Sequence, residues 1–156
     1  MKKRLLSNGL ATLFCLALVS SLSVAQEFNG NDIRNLPDGF HSVFWENGAK
    51  FYGEIFNGEF SGSGRMIWAD SSVYEGSWQN GMRHGKGDMT WKNGREYIGR
   101  WKKDEMNGAG KMKFPNGEIF IGRWKEGKLN GKGKIKYPNG EQWKGTFINT
   151  KPQKQL

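Results

Sequence analysis

The sequence predicts an all-β protein in which 23-residue β-hairpin repeats form a single-layer antiparallel meander, a solenoid one sheet thick. Two observations predict this fold. Between Phe51 and Gln142, aromatic and glycine positions return every 23 residues. Within each repeat, two short stretches alternate between apolar and polar residues, as half-buried strands do, and turn-forming residues separate them. A period of this length is typical of stacked identical units rather than of one globular core.

Residues 1–25 are predicted to be a cleaved signal peptide. Lys2-Lys3-Arg4 forms a basic start, an apolar run follows, and Ser23-Val24-Ala25 offers the small residues that a signal peptidase requires. The alternative is a retained membrane anchor, but the run is shorter than the roughly 20 apolar residues of a spanning helix. The sequence therefore predicts export to a periplasm or to the exterior, where the protein could lie at the periphery of a membrane.

The exported chain would have no thiol and a graded charge. The single cysteine, Cys15, lies inside the predicted signal, which excludes disulfides and cysteine-based sites from the mature protein. The full chain has a formal net charge of +9, but the charge is uneven. Phe51–Val73 contains one basic and three acidic residues, whereas Phe120–Gln142 contains six basic and two acidic residues. The array therefore changes from acidic to basic along its length.

Residues 26–50 are predicted to be an N-terminal cap that contains a degenerate repeat. Val43, Trp45 and the Asn47-Gly48 pair occupy the places of the apolar, aromatic and turn residues of a complete unit. Gly30 and Gly39 fall on glycine positions of the same register. A cap is expected because the terminal unit of an array has no neighbour to cover it.

The array is predicted to span residues 51–147. Positions 1 and 5 of each unit carry bulky, mostly aromatic residues. Glycines stand at positions 3, 12 and 14, where we expect them to leave space for neighbouring rings. Asn-Gly and Pro-Asn-Gly sequences between the strands indicate hairpin turns. The array comprises four full units, residues 51–73, 74–96, 97–119 and 120–142, and a partial unit, residues 143–147. Residues 148–156 are predicted to be a polar, basic tail.

One face of the sheet is predicted to be aromatic, because alternate residues of a strand share a face. We call this set the aromatic trough. Its rings are expected to form the core of the sheet, and an exposed part could also hold a peptide, a lipid or a sugar ring. The aromatic trough consists of Tyr74, Trp78, Trp91, Tyr97, Trp101, Phe114, Phe120, Trp124, Tyr137 and Trp143.

The opposite face is predicted to carry a ladder of cations, which we call the basic set. Like charges on neighbouring strands repel, so these side chains are expected either to be solvated or to bind something anionic. For an exported protein, anionic lipids, lipopolysaccharide or acidic wall polymers are better candidates than nucleic acid. The basic set consists of Arg100, Lys111, Lys113, Arg123, Lys134 and Lys136.

No catalytic, metal or cofactor site is predicted. His84 is expected to be a solvated turn residue, and the carboxylates are expected beside turns and strand ends rather than in the aromatic trough. Gly85-Lys86-Gly87 lacks the remaining residues of a phosphate-binding loop, and no helix is expected after it to bind phosphate at its N-terminus. These features do not form the arrangement of nucleophile, base and oxyanion donors that catalysis requires.

The order of these residues resembles the MORN (membrane occupation and recognition nexus) repeat. An aromatic residue, a glycine and a tryptophan are followed by further glycines, a second aromatic residue and an Asn-Gly turn. The resemblance covers Phe51–Phe147, with departures at Ile55, Ser71 and Asp104. It implies a binding or scaffolding module rather than an enzyme.

The resemblance implies a macromolecular partner such as a protein, and the basic set adds an anionic membrane or envelope surface as a candidate. Two alternatives remain. The first is a structural module that self-associates head to tail, because an open meander exposes a strand edge at each end. The second is a glycan-binding accessory module that uses the aromatic trough.

Overall fold

The computed structural model describes residues 26–29 and 32–153, which form one sheet of twelve strands in chain order. The first two strands pair in parallel, and every later neighbour is antiparallel. The predicted all-β antiparallel meander is thereby confirmed. The strands are β1 (Gln26–Asn29), β2 (Gly39–Phe44), β3 (Lys50–Phe56), β4 (Glu59–Ile67), β5 (Val73–Gln79), β6 (Met82–Thr90), β7 (Glu96–Lys102), β8 (Glu105–Lys113), β9 (Ile119–Lys125), β10 (Lys128–Lys136), β11 (Gln142–Ile148) and β12 (Lys151–Pro152).

The predicted signal peptide, residues 1–25, lies outside the described residues. Within the described ranges, no helix is long and apolar enough to cross a membrane.

Each unit is a hairpin closed by a two-residue turn with positive φ at both residues. Asn80 and Gly81, between β5 and β6, have φ angles of 51° and 72°. Turns of this kind match the twist of the two strands that they join, which is why asparagine and glycine are favoured there. Consecutive units are joined by a second turn, in which the Asn116 side chain accepts a hydrogen bond from the Glu118 N–H at 3.0 Å.

The glycines at positions 3 and 14 leave space for aromatic rings, as predicted. A Cβ built on Gly110 would lie 2.6 Å from both Cε2 and Cζ of the Tyr97 ring, and one built on Gly99 would lie 2.5 Å from the same Cζ. Real Cβ atoms do not approach other carbons so closely. The Tyr97 ring therefore lies flat across two adjacent strands because neither strand has a side chain at that point.

The glycines at position 12 have a different role, and the sequence-based interpretation of them was wrong. Gly85 and Gly108 lie at β-bulges, where the strand register shifts, and have φ angles of 65° and 83°. The atoms nearest to a Cβ built on them belong to the side chains of Ser77 and Arg100, not to a ring. Glycine is required there because a bulge of this kind contains a residue with positive φ.

The N-terminal segment contains only the second half of a repeat. β2 lies against β3 as a second strand does, Val43 is fully buried, and Gly48 forms the following turn with a φ of 87°. β1 instead pairs in parallel with β2, so it does not form the first strand of a hairpin. The interpretation of residues 28–50 as one degenerate repeat therefore holds only for its second strand.

The C-terminal segment continues the array beyond the predicted boundary at residue 147. Asn149 and Thr150 form the usual hairpin turn, and the Thr150 N–H donates to the Leu129 carbonyl at 2.8 Å. β12 then pairs with the end of β11. Residues 148–153 are thus part of a fifth unit and not of a free tail, because the repeat pattern extends through its own turn.

Candidate functional site

The aromatic trough is mainly the hydrophobic core of the sheet. Tyr97 is fully buried and Trp101 is 4% exposed, so these rings offer almost no surface to a ligand. Their packing is edge to face, with the Tyr97 ring 5.2 Å from Trp101 and 5.5 Å from Trp124. The buried members are Tyr74, Trp78, Tyr97, Trp101 and Trp124, and the half-buried members are Trp91, Phe114, Phe120, Tyr137 and Trp143.

The polar atoms of the buried rings bind the backbone and hold successive units in register. The Trp101 Nε1–H donates to the carbonyl of Gly87 in the preceding unit at 2.9 Å. The Tyr97 hydroxyl donates to the Arg100 carbonyl at 3.1 Å. Burial raises the pKa of Tyr97 to about 12, because the ionised phenolate would lose its hydration there.

A groove of about 620 Å³ opens on the aromatic side of the first two units. Half-buried Trp68 and Trp91 and buried Met66 and Met89 are among its lining residues. Trp68 was not included in the predicted aromatic trough, although it occupies the same repeat position as Trp91. The aromatic face therefore has an accessible groove nearer the acidic end of the array than the predicted set indicated.

Arg83 lies in this groove, and the sequence analysis missed it. Its guanidinium is 4.4 Å from the centre of the Trp101 ring, and its Nε donates to the Asp104 carboxylate at 2.8 Å. The Asp104 carboxylate also accepts the Arg83 backbone N–H at 3.0 Å, which accounts for an aspartate where other units have a turn glycine. The sequence signal for Arg83 is its repeat position. Position 10 is apolar in the other full units, where it is Phe60, Met106 or Leu129.

The two histidines both lie in strands of the sheet. His41 is buried, and its Nε2 lies 2.7 Å from the Pro37 carbonyl. His84 belongs to strand β6, next to the bulge at Gly85, and not to a turn as predicted. No group of three or more residues that could hold a metal ion occurs in the described part of the chain.

The basic set lies on the face opposite the aromatic trough, but its members do not form a continuous ladder. Ile121 lies directly between Lys111 and Lys134 in the strand register. Ile119 lies in the same way between Lys113 and Lys136. The prediction that these cations stand side by side was wrong, because the meander inserts β9 between β8 and β10.

The remaining members of the basic set are distributed differently. The Lys113 Nζ is 3.1 Å from a Glu96 carboxylate oxygen, so its charge is compensated within the sheet. Arg123 lies opposite Ala109, and Arg100 lies opposite Lys86. The outer face consequently presents two rows in which lysines flank an isoleucine, and a separate cationic cluster around Arg100.

No curated protein matches the chain. A solved structure of the SAS-4 (dCPAP) TCP domain in complex with a Proline Rich Motif of Ana2 (dSTIL) of Drosophila melanogaster is 20% identical in sequence. The match covers 86% of this chain and 99% of that chain, with a TM-score of 0.25.

A family model described as the MORN repeat matches residues 51–73, 74–94, 97–119 and 120–142. The four matches are consecutive, together span more than half of the chain, and coincide with the four hairpin units of the sheet. MORN repeats are binding and scaffolding modules. This chain belongs to the MORN repeat family.

Proposed function

We propose that this protein is a non-catalytic, exported module that binds anionic membrane surfaces through the outer face of its C-terminal half. The observation that carries the proposal is the pair of rows in which lysines of β8 and β10 flank an isoleucine of β9. Lysine and isoleucine together suit a lipid surface, which offers phosphate groups and, just beneath them, an apolar layer.

The lysines supply electrostatic attraction. Lys111, Lys134 and Lys136 form no ion pair within the described residues, whereas Lys113 does. Each cation near an anionic bilayer is worth about 1 kcal/mol, and the attraction fades within a Debye length of about 8 Å at physiological salt. Three free lysines on one face therefore give weak, salt-sensitive binding.

The isoleucines supply the apolar contact that distinguishes this face from a merely solvated one. Ile98 is 46% exposed and lies directly opposite Lys111, on the side away from Ile121. Ile119 and Ile121 are half-buried between lysines. The stems of the flanking lysines extend this apolar surface while their charged ends stay in contact with water or phosphate.

One of the two rows becomes acidic toward the N-terminal half. The row of Lys111 and Ile98 continues through Asp88 to Glu75 on the preceding strands. An anionic surface would repel that end. The proposed contact is therefore centred on the third and fourth units, and the first unit remains free for another partner.

Co-sedimentation with vesicles tests this proposal. The simultaneous substitution Lys111→Ser, Lys134→Ser and Lys136→Ser should reduce binding to vesicles of phosphatidylglycerol and phosphatidylcholine by at least tenfold, and salt should weaken binding of the parent. A control with Lys50→Ser, Arg65→Ser and Lys92→Ser loses the same charge from the N-terminal half and should bind like the parent. Equal losses in the two triple variants, or no binding by the parent, contradict the proposal.

The groove beside Trp68 and Trp91 favours glycan binding as a second candidate function. Half-exposed tryptophan faces stack on sugar rings, and Asp70 at the rim offers a hydrogen-bond acceptor for hydroxyl groups. Substitution of Trp101 would not test glycan binding, because Trp101 is buried in the core. Loss of glycan-array binding on Trp68→Ala would support it, and an array on which the parent binds no glycan would contradict it.

A further inference from the structure

A cavity of about 420 Å³ lies where the hairpin ends of the second and third units meet, away from the lysine and isoleucine rows. Its lining is strongly cationic. It includes the bulge glycines of both units and the side chains that flank them. The lining residues are His84, Gly85, Lys86, Arg100, Trp101, Lys102, Asn107 and Gly108.

The positive charge of this cavity is not compensated within the sheet. Lys86 and Arg100 stand directly opposite each other on β6 and β7, an arrangement in which like charges repel. Among the described residues, every ion pair involves a different cation. Lys102 faces Glu105 across the hairpin but forms no ion pair with it. The cavity therefore favours an external anion.

In the first unit, a carboxylate lies at the corresponding bulge. The Glu54 carboxylate lies against Gly62 and accepts the Ser63 N–H at 3.1 Å. Glu54 stands at position 4 of its unit, and Ser63 stands at position 13. A carboxylate thus occupies the bulge of the one unit that carries an acidic residue at position 4.

In the third unit the same two positions are Arg100 and Ala109. The Arg100 side chain lies over the bulge, with its Cδ 3.2 Å from a Cβ built on Gly108. The third unit therefore has the same bulge glycine as the first, but a cation replaces the internal carboxylate.

We propose that this cavity binds an oxyanion, either a phosphate or a carboxylate group, beside the Arg100 side chain, which lies over the third bulge as the Glu54 side chain lies over the first. The Ala109 N–H and the Arg100 guanidinium would donate to it, and Lys86 and Lys102 would neutralise its charge. Only the source of the anion rests on the proposed function, which implies that the anion in the cell is the phosphate of a lipid headgroup.

Titration of the ¹⁵N-labelled protein with inorganic phosphate tests the site without any membrane. Saturable shifts are expected at the backbone amides of Lys86, Gly108 and Ala109. Arg100→Glu places a carboxylate where Glu54 stands in the first unit, and it should weaken phosphate binding at least tenfold. Lys50→Glu makes the same change of charge on the same face, away from the cavity, and should leave the affinity within twofold.

The outcomes separate this site from the proposed function. The absence of saturable shifts at these amides, or equal weakening by Arg100→Glu and Lys50→Glu, overturns the site even if the parent binds vesicles. Phosphate binding that Arg100→Glu abolishes supports the site even if vesicles do not bind, a result that would contradict the proposed function. An unchanged dispersion of amide signals outside the cavity shows that each variant is folded.

Discussion

At the scale of single residues, the fold depends on glycines that have no side chain at the points where rings cross the sheet. Tyr97 covers Gly99 on its own strand and Gly110 on the next, and its hydroxyl binds the Arg100 carbonyl. A single-layer sheet has no second layer to bury its apolar residues, so rings that lie flat along it must serve as the core. Gly99 and Gly110 are thus packing residues.

Gly110→Val and Lys111→Val should differ sharply although they are neighbours. A valine side chain at position 110 would clash with the Tyr97 ring, and such overpacking typically lowers the free energy of unfolding by about 1–3 kcal/mol. Lys111 points outward between two isoleucines, where a surface change stays within about 0.5 kcal/mol. Urea midpoints of the two variants measure the difference. Equal losses would show that the two faces of β8 have been exchanged in this account.

Alkaline pH should destabilise the protein through Tyr97. Its pKa in the folded state, about 12, lies above the value of about 10 for an exposed tyrosine. The stabilising contribution of the neutral hydroxyl is therefore complete below pH 10 and is lost as the pH rises toward 12. Urea midpoints of the parent and of Tyr97→Phe should converge over this interval. A constant difference between pH 9 and 12 would contradict the assignment.

At the scale of the hairpin, the position 10 side chain of one unit interacts with the turn of the next unit. The turn residue at position 8 donates its N–H to the position 10 carbonyl of the preceding unit, as Gly127 does to Met106 at 3.1 Å. Arg83 and Asp104 keep this backbone bond and add an ion pair between their side chains. The second and third units are therefore joined by an ion pair at the place where the other full units have an apolar side chain at position 10.

A double-mutant cycle should show this coupling. Asp104→Gly alone leaves the Arg83 guanidinium, whose side chain is only 20% exposed, without its carboxylate, and should cost about 1–3 kcal/mol. Arg83→Met together with Asp104→Gly reproduces the Met106 and Gly127 pair of the next hairpin and should recover most of that loss. Denaturant unfolding of the three variants measures the coupling. Simple additivity of the single changes would contradict it.

The elements could be predicted from the sequence because the repeat makes the same pattern visible four times. The bulges at position 12 could not, since a glycine that admits a ring and a glycine with positive φ look alike in sequence. The distribution of the basic set was missed for another reason. Lys111 and Lys134 stand at the same position in successive units, and only the strand order shows that Ile121 lies between them.

At the scale of the whole molecule, the sheet has two different faces and two different ends. β12 pairs with only Phe147 and Ile148 of β11, and one of its two residues is Pro152, which lacks an N–H for pairing with another strand. Short edge strands that contain proline oppose edge-to-edge association. This feature disfavours association over the part of the edge that β12 covers. Head-to-tail self-association remains an alternative, because the rest of β11 has no strand beside it among the described residues.

Export should remove the first 25 residues. The basic start, the apolar run and the Ser23-Val24-Ala25 sequence predict cleavage that leaves Gln26 at the N-terminus. Intact-mass analysis of the exported protein should find a chain that begins at Gln26 or at its cyclised form. A secreted or membrane-bound chain that still contains Cys15 would contradict cleavage.

Lysine footprinting in the presence of vesicles tests membrane binding through the outer face of the C-terminal half, because it reports which face touches the membrane. The protein would be acetylated with and without phosphatidylglycerol vesicles, and the modification of each lysine would be measured by mass spectrometry. The account predicts that vesicles protect Lys111, Lys134 and Lys136 and leave Lys50 and Lys92 as reactive as in solution. Uniform protection of all five lysines, or protection of Lys50 and Lys92 alone, would contradict binding through the outer face of the C-terminal half.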